Sequence, residues 1–155
     1  MEEERRRMVR MAAAAFRITL ALLVAIAVAG CASTQSKRKD LINQLCEAAE
    51  TFHKFFKWGD FDGAAAFVDP NKMEDYARWT AKYEDLFMAE SYLIMSCTLT
   101  DPEATKPPIE GKVVVKYRGV VILPDPARRD YVWVQKWVFE GDSWMLQPDF
   151  SVFEK

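Results

Sequence analysis

Residues Tyr131–Phe139 read YVWVQKWVF. In an extended strand the side chains alternate between faces. Tyr131, Trp133, Gln135, Trp137 and Phe139 would share one face, and Val132, Val134, Lys136 and Val138 the other. Both sets are mostly β-branched or aromatic, the side chains that suit a pleated surface. A strand with one wet face should alternate more cleanly between apolar and polar. The stretch therefore predicts a strand whose second face is covered by something besides the helices of its own domain. Three other runs have the same character: Ser91–Leu99 (SYLIMSCTL), Val113–Leu123 (VVVKYRGVVIL) and Trp144–Phe153 (WMLQPDFSVF). Turn signals separate the four, at Asp101-Pro102 through Gly111, at Pro124 through Asp130, and at Glu140-Gly141-Asp142-Ser143. Short links between successive strands imply antiparallel pairing.

Upstream of these runs the period lengthens to three and four. Leu41, Leu45, Ala48, Ala49, Phe52, Phe55 and Phe56 form one apolar stripe, which predicts an amphipathic helix from about residue 39. Lys57-Trp58-Gly59 closes it, with glycine suited to the left-handed position after the last turn. Asp60 can cap a short second helix through Ala64–Ala66 to Val68, and Asp69-Pro70 breaks it. A third helix is expected from Asn71 to about Leu86. Helices first and strands afterwards make an α+β domain, with helices packed on an antiparallel sheet of about four strands.

The amino terminus carries a different kind of information. Arg5, Arg6, Arg7, Arg10 and Arg17 form a basic start, Ile18–Val28 (ITLALLVAIAV) is an apolar run, and Ala29, Gly30 and Cys31 follow. These are the parts of a secretory signal, and the run is shorter than the roughly 20 residues of a spanning helix. Val28-Ala29-Gly30-Cys31 resembles the lipobox of bacterial lipoproteins. The resemblance implies cleavage between Gly30 and Cys31 and acyl chains on the cysteine sulfur. The expected organisation is a cleaved signal (1–30), a lipidated tether (31–38) and a globular domain (39–155). Ala32 after the cysteine points to the outer membrane more than the inner. Glu2-Glu3-Glu4 is unusual in a signal, and a start at Met8 or Met11 would give a more ordinary one.

From Cys31 onward the chain has 16 basic and 20 acidic side chains, a formal net charge of −4. An acidic domain argues against a nucleic-acid partner, which needs a basic patch. The sequence also has no polybasic stripe to hold it to anionic lipid by charge alone.

The long helix ends Phe55-Phe56-Lys57-Trp58-Gly59-Asp60, and Phe61-Asp62-Gly63-Ala64-Ala65-Ala66-Phe67-Val68-Asp69-Pro70 leads into the next. The last hairpin is Trp137-Val138-Phe139-Glu140-Gly141-Asp142-Ser143-Trp144. In this pattern of elements, residues 39–153 resemble the cystatin-like, nuclear-transport-factor-2-like superfamily. The resemblance implies a curved sheet folded around the long helix into an open-mouthed cone, and pairing of copies through the outer sheet face. No strand is read between the second and third helices, a departure from the superfamily's common order.

That superfamily includes isomerases, cyclases and dehydratases, of which ketosteroid isomerases need a carboxylate base and oxyanion donors inside the cone. The first three strands hold no Asp, Glu or His at their centres; Asp149 is expected on a rim and Glu90 at a strand edge. His53, the one histidine, is expected at the surface or boundary of the first helix. One histidine without clustered cysteines does not make a tetrahedral metal site, and no cofactor motif appears. Tyr92, Tyr117, Tyr131, Trp133 and Trp137 are candidates to line a ligand cavity or an interface, with ordinary core packing the simpler reading. Cys46 and Cys97 are either a disulfide or two buried thiols. The function expected is a membrane-anchored, non-catalytic binding module at the cell envelope, with a protein partner, a second copy or an apolar small ligand. The alternatives are an isomerase-, cyclase- or dehydratase-type enzyme acting on an apolar carbonyl compound, and a structural subunit dimerising through its sheet.

Overall fold

The computed structural model describes residues 35–104 and 106–154. The signal and the Gly30-Cys31 junction lie outside them. The chain from Asp40 onward forms one compact unit, and the buried hydrophobic residues described all belong to it.

Residues 35–57 are helical (α1), so helix reaches back into the stretch expected to be tether. Gln35-Ser36-Lys37-Arg38 contains no breaker, and Gln, Lys and Arg are good helix formers. At the other end, Gly59 N–H donates to Phe56 O (3.2 Å) and Asp60 N–H to Phe55 O (3.1 Å), with Gly59 at φ +73°. This paired closure satisfies carbonyls that the last turn would leave open. The Asp60 carboxylate accepts from Gly63 N–H (2.8 Å) and starts α2 (Phe61–Ala65). α2 is shorter than expected because Val68 is drawn into a bridge with Leu146. Asp69 caps a 3-10 turn, Pro70–Lys72, which runs into α3 (Met73–Tyr83).

The strands are β1 (Phe87–Met88), β2 (Ser91–Leu99), β3 (Ile109–Ile122), β4 (Asp125–Glu140) and β5 (Ser143–Gln147). They form one antiparallel sheet in the order β1-β3-β4-β5, with β2 beside β1 on the same edge of β3. The domain is therefore α+β with an open five-stranded sheet, one short strand more than the sequence suggested. β2 has the bounds read from its sequence, with a bulge between Ile94 and Ser96. β3 and β4 are longer than expected. The turn between them is only Leu123-Pro124, since Ile122 pairs with Asp125. Strand β4 thus starts six residues before Tyr131 and contains Pro126, which is tolerated on this exposed hairpin end. β5 is shorter than expected. Pro148 cannot extend the ladder, and the chain turns so that Phe150 and Phe153, at the turn Ser151–Glu154, enter the core.

The α1 stripe lies on the inner face of the sheet. Leu45, Ala49, Phe52 and Phe56 are buried against Val113, Val115 and Tyr117 of β3, Trp133 and Trp137 of β4, and Leu146 of β5. The β5 edge is closed by chain 67–69: Leu146 N–H donates to Phe67 O (2.7 Å) and Asp69 N–H to Leu146 O (2.8 Å). Helix and sheet approach closely at Gly111. A Cβ there would stand 2.6 Å from Leu45 Cδ2 and 2.9 Å from Trp144 Cζ3. Both neighbours are buried and held. Gly111→Ala should therefore lower the unfolding free energy by about 1–3 kcal/mol in urea denaturation. An unchanged midpoint would mean that α1 can lift off the sheet at no cost.

Candidate functional site

Position 53 falls four residues after Ala49 and three before Phe56, within the α1 stripe. The expectation of a surface or boundary histidine is corrected by the structure: His53 is 0% exposed. Its Nδ1 is 2.7 Å from the Tyr117 hydroxyl and its Nε2 is 3.1 Å from Gln135 Oε1. Gln135, from the middle of β4, is 2% exposed.

The proton positions follow from a fourth residue. Trp137 Nε1–H can only donate, and it lies 3.2 Å from Gln135 Oε1. That fixes the amide with its oxygen toward the indole. The same oxygen then accepts from His53 Nε2–H, which leaves Nδ1 to accept from Tyr117 O–H. The result is a neutral histidine with both nitrogens committed. Gln135 Nε2 has no hydrogen-bond partner among the described residues.

Burial pushes the His53 pKa down from 6.5 to about 3, against a smaller upward pull from the Gln135 hydrogen bond. Burial also holds the Tyr117 hydroxyl well above its ordinary value, with the nearby Tyr92 hydroxyl adding to this. An imidazole that protonates near pH 3 is a poor general base at neutral pH, because catalytic bases work best with a pKa near the operating pH. Its ring is enclosed by Phe52, Tyr92, Tyr117 and Trp133, with centroids 5.0–5.8 Å away.

The sequence candidates fall mostly in this interior. Tyr117, Trp133 and Trp137 are buried on the inner face. Trp133 Nε1–H donates to Asp149 O (2.8 Å), and both tryptophans pack edge-on to Phe52. They fill space between helix and sheet. Tyr92 is half-buried beside His53, and its hydroxyl donates to Glu50 Oε1 (2.8 Å). Tyr131 lies further along β4, with its ring 5.2 Å from Phe153. Asp149 is exposed and accepts from Ser151 N–H (3.0 Å), while Glu90 pairs with Arg128. Cys46 of α1 and Cys97 of β2 are joined as a disulfide, Cα–Cα 5.8 Å. Among the described residues no three His, Cys, Asp or Glu side chains come together as metal ligands.

Sequence reasoning missed His53 and Gln135. The signal was present: His53 is in phase with the buried stripe, and Gln135 is the polar member of an otherwise aromatic inward set. The outer face of the sheet is the second notable region. Leu93, Met95, Val132 and Val134 are 55%, 57%, 51% and 57% exposed. Register places Leu93 beside Lys116, Lys116 beside Val132, and Val114 beside Val134.

The buried histidine makes stability depend on pH. Its folded pKa is below the unfolded value, so between pH 6.5 and about 3 the unfolded chain binds a proton that the folded chain does not. Stability should fall as pH drops through that window, by up to about 1.4 kcal/mol per pH unit from this group. Urea denaturation at pH 7, 6 and 5 should show the slope in the wild type and lose that part in His53→Gln. Equal slopes in the two would mean that His53 takes up its proton in the fold as readily as in the unfolded chain. No family model matches this chain, and no curated protein or solved structure is significantly similar to it.

Proposed function

We propose that this chain is a bacterial lipoprotein, cleaved after Gly30 and acylated on Cys31, whose domain is a non-catalytic binding module facing the periplasm. We read its arrangement of long helix and antiparallel sheet as nuclear-transport-factor-2-like, with the interior closed. The observation that carries the reading is the filling of that interior. Phe52, Phe56, Trp133, Trp137 and Phe150 occupy the space between helix and sheet, and the His53 nitrogens are spent on Tyr117 and Gln135. An enzyme acting on an apolar carbonyl compound would need that space for substrate. Recognition then belongs to the outside, where the sheet exposes aliphatic side chains. The Cys46–Cys97 disulfide supports an oxidising compartment such as the envelope.

Acyl chains add about 0.8 kcal/mol of membrane affinity per buried methylene, so two or three give lasting attachment. Wild-type protein should enter the detergent phase on phase partitioning, and Cys31→Ala should remain unprocessed or be released. Wild-type protein found soluble at full precursor mass would end this reading.

A second reading is a structural subunit that dimerises through the sheet. The exposure of Leu93, Met95, Val132 and Val134 favours it, since contiguous apolar patches mark interaction sites. Sedimentation equilibrium at several concentrations should then show a concentration-dependent dimer that Val134→Asp abolishes; a monomer throughout would exclude it.

A further inference from the structure

The outer sheet face gathers cations that are scattered in sequence. Lys112 pairs with Lys136 across β3 and β4, and Lys116 with Val132. Thr98, Leu93 and Ser91 of β2 stand beside Lys112, Lys116 and Arg118. Lys112, Lys116, Arg118 and Lys136 thus surround the exposed aliphatic side chains Leu93, Met95, Val132 and Val134, with half-buried Val114 among them. Two carboxylates answer them: Asp130 is 3.2 Å from Lys116 Nζ and Glu110 is 2.6 Å from Lys136 Nζ. The face keeps a positive excess on a chain whose portion after Cys31 is net negative.

We infer that this face docks on an anionic phospholipid surface. The inference rests on the lipoprotein reading, which brings the domain to a bilayer. Eight residues separate Cys31 from Asp40, and residues 35–39 already belong to α1, so the reach is at most about 25 Å. A tether that short holds the face at an effective concentration on the order of millimolar, so weak affinity is enough. The chemistry fits lipid better than protein. The patch has lysines, which protein interfaces avoid, and lacks the Trp and Tyr anchors that dominate their energetics. Lysine stems can lie along an apolar surface with the ammonium at the headgroups, and each cation near an anionic leaflet is attracted to it. A second copy stacked on the same face would set one cation-rich patch against another.

The test is amine footprinting of the full chain in phosphatidylcholine vesicles, with and without phosphatidylglycerol, read by peptide mass spectrometry. Lys112 and Lys136 should react at least about threefold more slowly when phosphatidylglycerol is present, and recover at high salt. Lys54 and Lys72, exposed on α1 and the 3-10 turn, should react alike in both. In Arg118→Glu, whose two reporter lysines remain, the protection should shrink. Equal rates in the two vesicles would overturn the proposal. So would protection that grows with protein concentration in detergent without lipid, the mark of a second copy on the face. Intact mass of the same sample reports the acyl chains on Cys31. A bare thiol would end the tether reading, and the same comparison with vesicles in excess would still decide whether the face binds lipid.

Discussion

The packing of α1 across the sheet is the contact on which the rest of this domain depends, and Phe56 is its centre. Its ring lies 5.2–6.4 Å from rings of α2, α3, β1, β3, β4 and the C-terminal turn: Phe61, Trp79, Phe87, Tyr117, Trp133, Phe150 and Phe153. Among the aromatic rings of the stripe, Phe56 meets rings from the most elements. Burying one such ring stabilises by roughly 1.5–3 kcal/mol relative to exposure, and its neighbours lose contacts if it is absent. The short elements α2 and β1 could not persist without something to pack against, and Phe56 supplies it.

That packing also fixes the polar group beneath it. His53 sits one residue from Phe52 and three from Phe56, so seating the stripe drives the imidazole into the sheet. Buried polar atoms are costly when unpaired, and Tyr117 and Gln135 meet both ring nitrogens. The network also opposes slippage of β4. A shift of one residue would exchange the faces of the strand, placing Lys136 inside and Trp133 and Trp137 in water. The histidine and glutamine together thus act as a register pin, and their chemistry is consumed by that task.

The opposite face follows other rules. Helices and the C-terminal turn cover the inner side, whereas Val132 and Val134 point outward into solvent, as do Leu93 and Met95. The two apolar sets read in Tyr131–Phe139 are therefore unequal in fate. One is core, and the other is surface at Val132, Val134 and Lys136 but buried at Val138.

The sequence by itself determined the α+β class, the inner stripe, the capped break at Gly59-Asp60, the bounds of β2 and the presence of a turn within Glu140-Gly141-Asp142-Ser143, because each is a matter of local periodicity or backbone preference. Only the tertiary structure decided the rest. The early start of β4 depends on how far β3 can pair with it, and the inward turn of Phe150 and Phe153 depends on space under α3. The burial of His53 depends on which strand the stripe meets, although its phase was legible. The union of Cys46 with Cys97 and the gathering of Lys112, Lys116, Arg118 and Lys136 depend on register between segments far apart in the chain. Local sequence carries no term for such distances, and only the closed packing of helix on sheet sets them.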